Sequence, residues 1–122
     1  GDTALKELGR ILQSDIRLGD IAARYGGEEF IIIFYNIDLE EAKFRAEQIR
    51  KTVSLMQIKY GAEHVGSITI SIGIAEYPQD ARTPTELIEF ADKALYRAKK
   101  NGRNKIVVYS EFVANAEKVP TL

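Results

Sequence analysis

The chain has 122 residues, of which 45% are hydrophobic and 29% charged, a composition ordinary for one globular domain. Its 17 basic and 18 acidic residues give a net charge of −1, so the overall charge does not point to nucleic acid or to a membrane surface as a partner. The chain contains no cysteine, which excludes disulfides and thiolate metal sites. No apolar run approaches the roughly 20 residues needed to span a bilayer.

Hydrophobic periodicity predicts helices and strands in the order helix, strand, strand, helix, strand, helix, strand. The predicted bounds are a helix over 2–14, strands over 20–25 and 29–34, a helix from 39 to about 56, a loop over 58–66, a strand over 67–76, a helix from 83 to 102 and a strand over 105–109. Asp38 and Thr83 are expected to cap the second and third helices. This order predicts an α+β fold, in which helices pack on a mixed sheet.

The segment Arg24–Phe30, which reads RYGGEEF, places two glycines between two strand-like runs. Paired glycines predict a hairpin turn. Glycine also allows a ligand to approach the backbone closely, and the adjacent carboxylates of Glu28 and Glu29 are ligands that hard cations prefer. From the residues alone, a phosphate cradle beside a metal site and a hairpin with solvent-facing acids both remain open.

Four stretches in order resemble the GGDEF domain family, here in its GGEEF form. They are RYGGEEF itself, Arg17–Asp20 as the family's RxxD motif, Ser67–Ile74 (SITISIGI) and Ala94–Asn104 (ALYRAKKNGRN). The resemblance covers Gly1 to about Tyr109 and implies a palm-like, ferredoxin-like fold of the nucleotidyl-cyclase type. The activity that it implies is diguanylate cyclase, which condenses two GTP into cyclic di-GMP with Mg²⁺ or Mn²⁺ in a homodimer.

The resemblance also implies roles for single residues in the catalytic turn. Glu28 would be the essential acidic residue at the metal and a base for the 3′-hydroxyl, and Glu29 a second metal ligand. Gly26 and Gly27 would keep side chains away from the nucleotide. Asp2 matches the family's guanine-reading Asp, since a carboxylate can accept both hydrogen bonds from the N1 and N2 edge of guanine.

Two cations and one further motif complete the set. Lys99 and Arg103 match the family's phosphate-binding pair, and the alternative is that they complement a helix C-terminus. Arg17 and Asp20 match an inhibitory site for the product, and the alternative is a surface ion pair. Gln48 stands where the family often has another Arg, for which Arg45 or Arg50 could substitute.

The first residues, GDTAL, resemble the interior of the family's first long helix, so we expect a piece of a longer protein that lacks the first core strand, its metal-binding Asp and a guanine-reading Asn. Residues 1–109 are then a partial domain and 110–122 a tail or linker, and this piece alone is expected to be inactive. A cyclic di-GMP receptor without turnover and a dimerisation module are the alternative functions. We expect a cytoplasmic location, with no nucleic-acid partner and no membrane contact by this segment, while an upstream membrane anchor stays open.

Overall fold

The computed structural model of the protein describes residues 2–15, 21–26, 29–34, 36–60 and 64–117. The chain divides into two compact units, Gly1–Thr69 and Ile70–Leu122, and each is described by itself. Among the described residues, no helix combines the length and the apolarity that a membrane crossing needs.

The first unit combines two helices with two antiparallel hairpins. Its elements are α1 (Asp2–Asp15), β1 (Ile21–Gly26), β2 (Glu29–Ile33), α2 (Leu39–Leu55), β3 (Ile58–Tyr60) and β4 (His64–Gly66). α1 packs on α2, and the side chains buried from solvent recur at helical spacing: Leu8, Ile11 and Leu12 on α1, and Ala46, Ile49 and Val53 on α2. The predicted N-cap of α2 is confirmed, because an Asp38 carboxylate oxygen accepts the Glu41 N–H at 2.8 Å.

Two expectations for this unit were wrong. Residues 58–66 were predicted to be a loop, yet β3 and β4 pair as a hairpin with Ile58 opposite Gly66. The apolar run Phe30–Phe34 predicts a strand that is covered on both faces, but the Ile33 side chain is 46% exposed. In the part of the chain that the structure describes, β2 pairs with β1 alone.

The second unit is built around a parallel strand pair that a helix connects. β5 (Ile72–Ile74) pairs with β6 (Ile106–Val108) in parallel, and α3 (Pro84–Lys100) links them. Parallel strands need such a crossover, since a tight turn can only reverse the chain. The predicted strand over 67–76 is shorter in the structure, because its partner β6 has only three residues to pair with.

Close packing of α3 on β5 explains the small residues of that strand. A Cβ atom built on Gly73 would lie 2.2 Å from the Ala91 carbonyl oxygen and 2.4 Å from the Leu95 nitrogen. Ala94 and Ala98 on α3 are fully buried. Thr69, Ser71, Gly73 and Ala75 form one face of small residues in the sequence, which predicts close packing against this face. The close approach of α3 at Gly73 confirms that prediction.

A fourth helix, α4 (Tyr109–Glu117), occupies much of the segment predicted to be a tail. Its first residue, Tyr109, stacks on Phe90 of α3 with ring centroids 4.7 Å apart and planes 9° from parallel. The guanidinium of Arg97 lies 5.3 Å from the centroid of the Phe112 ring. Aromatic packing on α3 thus makes this segment part of the second unit, and the boundary of the domain at residue 109 stays a prediction.

Candidate functional site

The glycine-rich segment connects two paired strands, as its sequence predicts. β1 and β2 are antiparallel, and Gly26 at the end of β1 lies opposite Glu29 at the start of β2. The pairing shifts between Arg24 and Gly26, so Tyr25 is an extra residue on β1. A bulge of this kind increases the local twist of a hairpin and is frequent beside active sites. The sequence did not predict it.

The structure tests only part of the predicted site. Gly27, Glu28, Arg17, Asp20 and the side chains of Asp2 and Glu29 lie outside the described part of the chain. The backbone of Asp2 is the first residue of α1, and that of Glu29 is the first residue of β2. Whether these residues share one pocket therefore stays a prediction.

Lys99 and Arg103 lie together at the C-terminal end of α3. Lys99 is half-buried in the last helical turn, which also contains Arg97 and Lys100. Arg103 is exposed in the turn that follows. Cations in the last turn offset the partial negative charge of a helix C-terminus, and they can also bind an anion.

The turn after α3 has an unusual backbone. Gly102, Arg103 and Asn104 have φ values of 107°, 62° and 50°, so three successive residues are in the left-handed region. Glycine adopts that region readily and asparagine tolerates it, whereas arginine rarely does. The sequence predicted that Gly102 ends the helix, and this is confirmed, but it did not predict the two residues that continue the left-handed turn.

Hydrogen bonds tie this turn to the helix end and to the strand beside it. The Arg103 N–H donates to the Ala98 carbonyl at 3.0 Å, and the Lys105 ammonium donates to the Asn101 carbonyl. The Asn104 N–H donates to the side-chain oxygen of Ser71 at 3.0 Å. Ser71 stands just before β5 and is the residue of this region that motif reading left without a role.

A groove on α2 bears on the predicted product site. It is lined by Arg45, Gln48, Ile49, Lys51 and Thr52 and has a volume of about 340 Å³. The Arg45 guanidinium lies 4.4 Å from the centroid of the Phe34 ring. The groove thus combines two cations with the Gln48 side chain.

Arg50, the other proposed substitute for the family's Arg, forms an ion pair instead. Its Nε donates to a Glu47 carboxylate oxygen at 2.9 Å. This hydrogen bond is the main cause that lowers the pKa of Glu47 and raises the pKa of Arg50, while partial burial acts in the opposite direction on both. Of the two arginines, Arg45 is the one that lines the groove.

Comparison with known proteins identifies the family of the chain. Residues 1–105 match the family described as "Diguanylate cyclase, GGDEF domain". The chain is 44% identical over 108 residues to diguanylate cyclase A of Treponema denticola, covering 88% of this chain and 29% of that protein. The chain therefore spans about three tenths of the length of this curated relative.

Solved structures show the same fold. The GGDEF domain of DgcB from Caulobacter crescentus, solved with c-di-GMP, matches with a TM-score of 0.82 and 31% identity over 89% of this chain and 64% of that one. The active GGEEF domain of a diguanylate cyclase from Vibrio cholerae matches with a TM-score of 0.75 and 33% identity over 88% and 67%. The predicted α+β fold of the nucleotidyl-cyclase type is confirmed, and the chain belongs to the GGDEF domain family.

Proposed function

We propose that this chain is part of the catalytic domain of a diguanylate cyclase, which joins two GTP molecules into cyclic di-GMP. The 3′-hydroxyl oxygen of each GTP forms a bond to the α-phosphorus of the other, each hydroxyl loses its proton, and two pyrophosphates leave. The observation that carries the proposal is the GGEEF sequence between β1 and β2, with Gly26 opposite Glu29, in a chain whose family is established.

The roles that the family resemblance implies for the side chains fit the chemistry of this reaction. Glu28 accepts the proton of the 3′-hydroxyl, and Gly26 and Gly27 allow the nucleotide to lie against the backbone. Asp2 accepts hydrogen bonds from the N1 and N2 edge of guanine, which adenine cannot offer as a pair. Lys99 supplies a point charge, and Arg103 a planar fork, for phosphate oxygens.

A divalent metal ion fits the donors available here. Glu28 and Glu29 are adjacent carboxylates, and hard cations such as Mg²⁺ or Mn²⁺ bind carboxylate oxygens. We propose that these two side chains hold it. When bound, it would neutralise negative charge that develops on the reacting phosphate.

The reaction needs two GTP molecules facing each other, so we propose that two copies of the domain meet as a homodimer with one GTP each. The rate per protein molecule of such a reaction falls when the protein is diluted below the dissociation constant of the dimer. A rate per protein molecule that does not change over a wide dilution range, with the protein monomeric throughout, would refute the dimer.

GTP is plentiful in the cytoplasm, where we place the domain.

The test of the activity compares two glutamates in the complete gene product. Glu28→Gln keeps the shape and loses the charge, so formation of cyclic di-GMP from GTP and Mg²⁺ should fall at least about a hundredfold, since even residues that support metal ligands contribute 10- to 100-fold. The control is Glu40→Gln, because Glu40 is an 84% exposed side chain on α2. Chromatography measures the product. Full turnover by Glu28→Gln would refute the assignment, and product binding without turnover by the wild type would favour a receptor.

We also propose that Arg17 and Asp20 bind the product and inhibit the enzyme. The DgcB domain was solved with c-di-GMP, which supports product binding in this fold. Arg17→Ala should abolish binding in titration calorimetry. Arg10→Ala is the matched control, because Arg10 forms a 2.9 Å ion pair with Glu7 on the surface of α1. Equal affinity of wild type and Arg17→Ala would show that the motif is only a surface ion pair.

Gln48 in the groove on α2 leads to a prediction about the affinity for cyclic di-GMP. A charge-assisted hydrogen bond contributes roughly 1.5–3 kcal/mol, and Gln48 lacks the charge to form one. Gln48→Arg should therefore tighten binding of cyclic di-GMP at least about tenfold. Unchanged affinity would indicate that the ligand does not reach the groove or that Arg45 already supplies the charge.

A further inference from the structure

We propose that Ser71 is a positioning residue that aims Arg103 at the phosphates of GTP. This inference rests on the proposed function, since it assigns Ser71 a task only if Arg103 binds phosphate. Ser71 lies just before β5, and the motifs of the sequence assign it no role.

The backbone of the turn requires an external support. Arg103 has a φ of 62°, which its side chain disfavours, and Asn104 follows with a φ of 50°. Non-glycine residues persist in this region when the surrounding structure holds them there, and such outliers cluster at functional sites. Arg103, a residue of the predicted site, therefore has a backbone conformation that depends on support from the surrounding structure.

Ser71 supplies a support that the helix end cannot. The hydrogen bond from Arg103 N–H to Ala98 and that from the Lys105 ammonium to Asn101 both remain within the α3 terminus and its turn. The Asn104 N–H, in contrast, reaches the Ser71 oxygen across 33 positions of sequence at 3.0 Å. This bond connects the residue directly after Arg103 to the sheet.

The first residue of β5 forms a second hydrogen bond to the segment after α3. The Ile72 N–H donates to the Lys105 carbonyl at 2.9 Å, where the parallel pairing of β5 with β6 begins. Two successive residues, Ser71 and Ile72, thus hold Asn104 and Lys105. A serine is suited to the first position because its hydroxyl accepts a backbone N–H where no carbonyl is available.

Loss of the Ser71 hydroxyl should alter the direction of the Arg103 side chain more than it destabilises the fold. The Asn104 amide is exposed, so water can replace the serine oxygen, and the turn gains freedom instead of unfolding. The Arg103 side chain must then be ordered by the ligand itself, which weakens binding. For one exposed hydrogen bond we expect about a two- to fivefold loss of GTP affinity.

The experiment measures GTP affinity by calorimetry in the complete gene product, with Ca²⁺ in place of Mg²⁺ to slow turnover. Ser71→Ala and Ser71→Val should each weaken GTP binding two- to fivefold, while Ser71→Thr, which has the shape of valine and keeps a hydroxyl, should bind as the wild type does. Ser67→Ala is the matched control, because Ser67 is exposed in the loop before β5. In an Arg103→Ala background, Ser71→Ala should have no further effect.

Each result decides a separate question. An equal loss in the wild-type and Arg103→Ala backgrounds would overturn the inference, because a merely structural role weakens both alike. Equal affinity of Ser71→Val and Ser71→Thr would also overturn it while the proposed function stands. If the wild type neither binds nor converts GTP, the proposed function fails, and this inference fails with it.

Discussion

Replacement of Gly73 by alanine tests the packing on which the second unit is built. The new Cβ would lie 2.2 Å from the Ala91 carbonyl oxygen, 2.4 Å from the Leu95 nitrogen and 2.9 Å from the Leu95 Cα. Carbon and oxygen atoms in such contacts normally stay about 3.3 Å apart or more. Helix α3 must therefore move away from β5 by roughly 1 Å, and all three obstructing atoms belong to the backbone, which cannot rotate aside.

The expected cost follows from this displacement. Overpacking of a core costs about 1–3 kcal/mol, and a clash with helix backbone belongs at the upper end of that range. A loss of about 3 kcal/mol accelerates amide hydrogen exchange through unfolding of this unit more than about a hundredfold. Hydrogen exchange of peptides covering 70–108 in the complete gene product measures it directly.

A second glycine provides the control. Gly9 lies on α1, and a Cβ there would be 4.0 Å from a Phe30 ring carbon, which is an ordinary contact. Gly9→Ala should stabilise its helix by about 0.5–1 kcal/mol and leave exchange over 70–108 unchanged. If Gly73→Ala exchanged at the wild-type rate, α3 would not pack closely on β5 at Gly73, contrary to the structure.

Two further predictions concern the segment between β5 and α3. Burial, and then the neighbouring carboxylate of Asp80, raise the pKa of Glu76. The folded state thus holds this proton more tightly than the unfolded chain does, so stability falls as the pH rises from the usual carboxyl pKa through the raised one. Glu76→Gln should flatten this fall in urea denaturation between pH 4 and 7, and an unaltered profile would exclude Glu76 as its source. Thr83→Ala should cost about 1 kcal/mol, since the Thr83 hydroxyl accepts the Glu86 N–H at 3.1 Å. Exposed Thr85 is the control, and equal urea midpoints for both alanine variants would refute the cap.

The long helices were predictable because their signals are local. Capping by Asp38 and Thr83 depends on residues three positions apart, and the buried stripe of α2 repeats every three or four positions. Periodicity of this kind needs no knowledge of what the helix packs against. The sequence therefore predicts the bounds of α2 and α3 to within two residues.

The β3–β4 hairpin and α4 were not predicted because their signals are not local. The hairpin of β3 and β4 has three residues in each strand, too few for an alternating pattern to stand out beside Gly66. Helix α4 becomes evident only when Tyr109 is seen to stack on Phe90, 19 positions earlier in the chain. Both elements depend on pairing or packing partners that a local pattern does not contain.

The predicted site also has features that the local sequence indicates and features that it does not. Lys99 and Arg103 were proposed from the resemblance of one contiguous stretch, Ala94–Asn104, to a family motif. The left-handed turn of Gly102, Arg103 and Asn104 and its bond to Ser71 were not predictable, because that bond spans 33 positions. A contiguous motif can therefore single out candidate side chains, whereas a hydrogen bond over 33 positions becomes evident only in the structure.

The position of Lys99 and Arg103 bears on the phosphate binding that we propose for them. Many phosphate sites use the N-terminus of a helix, where backbone N–H groups and the helix dipole attract an anion. Lys99 and Arg103 instead lie at the C-terminus of α3, where the dipole carries partial negative charge and repels phosphate. The phosphate binding that we propose at this end would therefore rely on the two cations, against the field of the helix. Its affinity would depend on how accurately the turn presents Arg103, and the hydrogen bond from Asn104 to Ser71 would influence it.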